Sequence, residues 1–282
     1  MPLLVNSGII LFVYHIHLFM PEFSIMHLSS FSEDQDITWI EVEAPEQASE
    51  SVGFSAFGLS AALLRGVAEA GFVEPTPIQA QAIPALLEGR DLMGQALTGS
   101  GKTAAFALPA MHRIAELPGL QLLILVPTRE LAAQVSSEVF KLGQHAGIRT
   151  AAFTGGQSYS RQEKILRQGI NVLVATPGRL IDLMENGHFD QVNPAIIVVD
   201  EADEMLDMGF LEDVKVIFEK FPGPRQTMLF SATLPKQVLS LAQKITSNPV
   251  ELTSSFADST NNDIEQSFFV IDEHERVNAA IR

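Results

Sequence analysis

The 282-residue sequence contains no cysteine. This excludes disulfide bridges, thiol catalysis and cysteine-ligated zinc, and it fits a reducing compartment such as the cytoplasm. Basic charge is also scarce, with 18 Lys and Arg against 34 Asp and Glu, a formal net charge of −16. A surface built to grip phosphates through lysine stripes is normally basic, so total charge alone speaks against a nucleic-acid partner. No apolar run is long enough to cross a bilayer, which takes about 20 residues. The run Gly8–Met20 has 13 residues and is interrupted by His15 and His17. It lacks the positive start and small-residue cleavage site of a secretory signal. Three readings of it stand: an upstream extension with the real start near Met26, a peripheral apolar anchor, or an unrelated appendage. The first is preferred, because nothing in the run suggests a mechanism. There is no internal repeat, no low-complexity tract, no His-Glu-x-x-His pair and no Gly-x-Ser-x-Gly elbow, so metalloprotease and serine-hydrolase readings have no anchor.

What is present is a globular composition, 46% apolar and 18% charged, with length for one or two domains. The acidity is uneven. Before the first basic side chain, Arg65, stand Glu22, Glu33, Asp34, Asp36, Glu41, Glu43, Glu46 and Glu50. Residues 251–282 add seven acids against Arg276 and Arg282, which leaves residues 54–250 with 19 acids and 16 bases. The central region is nearly neutral, and the acidity belongs to the two ends. Residues 1–53 are therefore read as an acidic leader.

From residue 54 onward, short continuous apolar runs alternate with helical stretches. The runs Asp91–Gln95, Leu122–Val126, Thr150–Phe153, Val172–Ala175, Ala195–Val199 and Thr227–Phe230 have the pattern of strands buried on both faces. Helices are expected over Ser60–Ala70, Lys102–Ala115, Glu130–Leu142, Tyr159–Arg167, Leu180–Glu185 and Pro235–Ile245. The order predicts an α/β fold, a mostly parallel sheet with helices on both faces, with ligands at the carboxyl ends of the strands.

The first strand runs into Ala96-Leu97-Thr98-Gly99-Ser100-Gly101-Lys102-Thr103 and then a helix. A glycine-rich turn entering a helix aims N–H groups and the helix dipole at an anion. Lys102 would reach the outer phosphates of a nucleotide and Thr103 would ligate Mg²⁺. The general pattern has glycine where Ala96 stands. The strand Ala195–Val199 ends in Asp200-Glu201, which supplies the second requirement, an acid for the magnesium shell at Asp200 and a group to activate water at Glu201. These signals predict phosphoryl transfer from a nucleotide with Mg²⁺.

Asp200-Glu201-Ala202-Asp203 resembles the name-giving motif of the DEAD-box ATP-dependent RNA helicases. Gly71-Phe72-Val73-Glu74-Pro75-Thr76-Pro77-Ile78-Gln79, with Phe54 seventeen residues before Gly71, is similar to the family's adenine-reading Q motif, so Phe54, Phe72, Pro77 and Gln79 become candidate base contacts. Pro127-Thr128-Arg129, Gly155-Gly156 and Thr176-Pro177-Gly178-Arg179 resemble its RNA-backbone segments, and Ser231-Ala232-Thr233 the motif coupling hydrolysis to strand separation. Even Ala96 is what the family usually places there. The resemblance implies a RecA-like P-loop domain over 54–252, with its Q-motif region at 54–80, and an RNA partner. A linker and the first strand of a second RecA-like domain (Ile264–Val270) follow within 253–282.

Independent chemistry accompanies several of these residues. One edge of adenine matches the donor and acceptor of an amide such as Gln79, an edge pattern that guanine reverses. Phe54 is open to two readings, a base neighbour or a core phenylalanine under the first helix. Arg179 can contact RNA or serve a structural ion pair, and Ser231 or Thr233 can bond Asp203 or cap the following helix. The basic side chains Arg161, Lys164 and Arg167 are read as a solvated helix face, as His112, His145 and His188 are read as surface or helix-end residues. Without the second domain, the chain is expected to bind ATP weakly and hydrolyse it poorly. A non-catalytic nucleotide- and RNA-binding module, and a DNA-directed P-loop ATPase, are the competing functions.

Overall fold

Seven short strands, all parallel, arise where the apolar runs were expected and at one place where none was. In the computed structural model, which describes residues 53–253, these are β1 (Leu92–Gln95), β2 (Leu122–Leu125), β3 (Thr150–Phe153), β4 (Val172–Ala175), β5 (Ile196–Val199), β6 (Gln226–Ser231) and β7 (Val250–Thr253), ordered β3-β4-β2-β5-β6-β1-β7. Parallel neighbours need crossovers, and helices supply them: α1 (Ala61–Glu69), α2 (Pro77–Leu87), α3 (Lys102–Ile114), α4 (Arg129–Gly143), α5 (Tyr159–Gln168), α6 (Pro177–Glu185), α7 (Ala202–Asp207), α8 (Leu211–Lys220) and α9 (Lys236–Ile245). Leu122, Ile124, Val174, Val198 and Phe230 point to one face, under α1–α4. Their neighbours Leu123, Leu125, Leu173, Val199 and Leu229 point to the other, under α5–α9. Strand side chains alternate, so continuous apolar runs fill both layers.

Helices α2, α7 and α8 and strand β7 escaped the sequence reading, α7 being a six-residue turn directly after Glu201. Helix α2 opens on Pro77, a favoured first helical position, but carries Pro84 inside it and buries Ile78, Gln79, Ala82, Ile83 and Leu86. Helix α8 has the ordinary amphipathic spacing of Leu211, Val214, Ile217 and Phe218. Strand β7 is a half-buried edge strand, Val250-Glu251-Leu252-Thr253, paired only to β1 among the described residues. Thr253 is thus the last residue of β7 and not the start of a linker. The leader up to residue 52, the remaining linker residues and the strand expected at Ile264–Val270 lie outside the described residues.

Helices α1 and α4 approach closely through Gly66. A Cβ built there would lie 2.1 Å from the carbonyl oxygen of Leu142. Downstream of α1, Thr76 and Gln79 reach the loop that enters α3, donating to the Ser100 and Gly101 carbonyls.

Candidate functional site

The loop after β1 is fixed at its root by the Ala96 amide, which donates to the Ser231 carbonyl at 3.0 Å. Gly99 and Gly101 hold left-handed φ angles of 83° and 89°, a conformation that favours glycine. Ala96 is not in that region, so alanine in place of glycine introduces no strain there. Helix α3 begins at Lys102, and the Ser100 hydroxyl is buried beside its N-terminus without a partner. Leu97 is exposed in the same loop.

The Lys102 side chain is buried and pairs with carboxylates of the β5 end. Its Nζ lies 2.8 Å from Glu201 Oε1 and 3.8 Å from Asp200 Oδ1. Thr98 Oγ1 donates to the same Glu201 oxygen at 3.0 Å, and the Glu201 amide donates to Asp200 Oδ1. Glu201 adopts φ 53° and ψ 54°, a left-handed conformation uncommon outside glycine, asparagine and aspartate. Burial pushes the Asp200 carboxyl up to about 6, against the lowering pull of the Lys102 charge. On α4, Glu138 is also raised by burial, with the Thr103 hydroxyl and Lys141 opposing. Its charge acts on Asp200 as well. Glu138 thus joins this cluster, though on an amphipathic helix no motif marked it.

The Asp200 shift has a measurable consequence in the metal-free protein. A carboxyl whose folded pKa is raised contributes stability that is fully present below its ordinary value and lost as pH rises through the folded one. From 3.8 to about 6 this amounts to about 2 kcal/mol between pH 4.5 and 7.5. Urea unfolding of the parent and of Asp200→Asn should show the parent losing that much relative to the variant over this range. A constant difference would show that Asp200 titrates normally.

The Q-motif residues meet the loop from the other side. Gln79 is fully buried; its Nε2 donates to the Gly101 carbonyl at 3.0 Å and its Oε1 accepts from the Thr76 amide at 2.9 Å. Thr76 Oγ1 donates to the Ser100 carbonyl. The amide expected at an adenine edge is therefore fully buried and engaged in bracing the phosphate loop. Phe54 is buried with its ring edge-on to Phe57 and Phe72, centroids 6.0 and 6.1 Å away, which is the core placement. Phe72 is half-buried and Pro77 exposed.

Beyond β5 the strand ends carry the segments with RNA resemblance. Arg129 lies exposed at the start of α4, its guanidinium over Gly155 and Gly156, where a Cβ on Gly156 would meet Nη1 at 2.6 Å. Thr128 Oγ1 caps α4 by accepting from the Leu131 amide. Gly178 is exposed, with open space around its Cα. Pro127, Thr176 and Pro177 are buried and shape their turns.

Arg179 departs from the expected direct contact. Its side chain is 4% exposed, Nε donates to Gln162 Oε1, Nη2 donates to the Gln157 carbonyl, and the guanidinium covers the Tyr159 ring at 3.4 Å. Nη1 lies 3.8 Å from Asp182 Oδ2, so Arg179 takes the structural one of its two readings, and its remaining N–H groups are buried rather than turned to solvent. Ser231 and Thr233 behave as the first of their two readings: Ser231 Oγ accepts from the Asp203 amide, while Thr233 donates to Asp203 Oδ2 from both N and Oγ1, at 2.8 and 2.9 Å. The sheet is thus divided. Ends of β1, β5 and β6 hold the phosphate-type chemistry, and ends of β2, β3 and β4 hold Arg129, Gly155, Gly156 and Gly178.

Residues 76–241 match the family model described as DEAD/DEAH box helicase. The chain belongs to the DEAD/DEAH box helicase family. It is 45% identical over 243 residues to the DEAD-box ATP-dependent RNA helicase RhpA of Helicobacter pylori, covering 86% of this chain and 49% of that protein. It is 41% identical to the DEAD-box ATP-dependent RNA helicase CshA of Streptococcus pneumoniae, over 81% and 44% of the two chains. The chain spans about half the length of the curated relatives it matches. Among solved structures, a DEAD box protein from Methanococcus jannaschii superposes with a TM-score of 0.70 at 38% identity, over 81% of this chain and 62% of that one. The DEAD-box parallel sheet and its RecA-like neighbours agree with the fold expected from the sequence. Among the described residues, no helix is long and apolar enough to cross a membrane.

Proposed function

We propose that this DEAD-box chain carries the ATP-loading half of a cytoplasmic ATP-dependent RNA helicase whose second RecA-like domain completes the site. The observation that supports this best is the buried Lys102–Glu201–Asp200 cluster, set against a loop whose N–H groups and unpartnered Ser100 hydroxyl suit phosphate oxygens. ATP with Mg²⁺ fits that donor set. Thr103 and Asp200 would hold the ion, Asp200 largely through water, and the ion supplies charge neutralisation to the transferred phosphoryl group.

The protein's own residues do the rest. Lys102 leaves Glu201 for the outer phosphates, which frees the Glu201 carboxylate to orient and deprotonate water. Asp203, held by Thr233 and Ser231, ties the end of β5 to the end of β6. RNA is gripped on the adjoining strand ends by Arg129 and by the backbone of Gly155, Gly156 and Gly178, contacts that read backbone and 2′-hydroxyl rather than sequence.

The test uses the full-length protein with a short RNA duplex. RNA, and not DNA, should stimulate ATP turnover and support strand separation, and Glu201→Gln should lower turnover about 10²- to 10⁴-fold with ATP still bound. Stimulation by DNA alone, or none by RNA, overturns the reading. Ser231→Ala with Thr233→Ala should spare ATP binding and lose strand separation more than hydrolysis. Equal loss of both would show that the Asp203 network does not couple them.

A further inference from the structure

Tyr159, the first residue of α5, is one of two tyrosines in the sequence and is 43% exposed. It stands three residues beyond Gly156, on the half of the sheet that carries Arg129. Its ring is fixed on two sides. The Arg179 guanidinium carbon lies 3.4 Å from the ring centroid, and the Tyr159 hydroxyl donates to Asp182 Oδ2 at 3.0 Å. Arg179 is fixed in turn by Gln162 and the Gln157 carbonyl. One face of the ring is therefore covered by Arg179 and the hydroxyl is anchored on Asp182, while the residue as a whole stays exposed.

A large aromatic face held immobile in water loses little conformational entropy when something stacks on it. Single-stranded nucleic acid is bound by such platforms, because every base has a π-face. We propose that Tyr159 is a stacking contact for a nucleobase of single-stranded RNA, with Arg179 as the positioning residue behind it. The inference rests on the RNA-helicase reading and refines it. At this corner the RNA meets a ring, and the arginine acts through that ring.

The experiment measures binding of a fluorescein-labelled single-stranded RNA to the full-length protein with a non-hydrolysable ATP analogue, for the parent, Tyr159→Phe, Tyr159→Leu and Arg129→Ala. Phenylalanine keeps the face and should bind within about twofold of the parent. Leucine keeps bulk over Arg179 but removes the π-face, and should weaken binding about 5- to 150-fold with analogue affinity unchanged. In parallel, 4-thiouridine RNA irradiated on the parent should cross-link to the peptide containing Tyr159, located by mass spectrometry. Parent-like RNA binding by Tyr159→Leu while Arg129→Ala loses it overturns the proposal and leaves the helicase reading standing. Weakened binding without a cross-link at Tyr159 also overturns it, since the ring would then only support Arg179. No RNA binding by the parent itself removes the helicase reading and the proposal together.

Discussion

Lys102→Ala is expected to destabilise the domain by about 3–5 kcal/mol at pH 7, besides abolishing tight binding of ATP. The usual expectation for a phosphate-loop lysine is a loss of nucleotide with the fold intact. Here the lysine is buried between Glu201 at 2.8 Å and Asp200 at 3.8 Å, and its removal strands two carboxylates in a site with little access to water. An isolated buried charge costs several kcal/mol unless it is paired or neutralised. Urea unfolding without nucleotide measures the cost directly. Adding Glu201→Gln should restore part of the loss, because one of the stranded charges is gone. A change under about 1 kcal/mol would show that the pair behaves like an exposed one.

Gly66→Ala is expected to cost about 3 kcal/mol, at the upper end for overpacking, although alanine is the better helix former. The new methyl group would sit 2.1 Å from the Leu142 carbonyl oxygen, and both partners are backbone, so no rotamer change relieves the clash. Helix α1 must move away from α4. For a domain of about 200 residues that corresponds to a fall in Tm of roughly 6–12 °C. ATP affinity should fall too, since α1 leads into the Thr76 and Gln79 contacts on the loop. Gly178→Ala is the control: its φ is not left-handed and nothing lies within 4 Å of the added Cβ, so its stability should stay within about 0.5 kcal/mol.

The sheet was legible where burial on both faces leaves a continuous apolar run, as in Val172–Ala175 and Thr150–Phe153, whose bounds match the structure residue for residue. It was illegible at β7, where an edge strand carries Glu251 and shows neither a run nor enough length for alternation. Helix α2 was hidden by Pro84 and by a surface apolar nearly all round, which blurs the 3.6-residue period. The site divides in the same way. Lys102, Asp200 and Glu201 were found because loop chemistry dictates residue type at fixed spacing. Phe54 and Arg179 each took the structural one of two readings left open, and the bracing contact of Gln79 was not foreseen, because a hydrogen bond to Gly101 is settled by the tertiary fold. Tyr159 and Glu138 lay on helices with no motif to mark them, and only the packing of neighbouring elements brings them to Arg179 and to Thr103.

The left-handed backbone at Glu201 sets two contributions to stability against each other. A residue with a Cβ is held there at a cost of about 1–2 kcal/mol, in a conformation that glycine adopts freely. Glycine would release that strain but would also leave the buried Lys102 ammonium without the carboxylate 2.8 Å away, a larger loss. The strained backbone is thus held in place by the ion pair it makes possible, and Glu201→Gln, which keeps the backbone cost but gives up the charge, should be less stable than the parent.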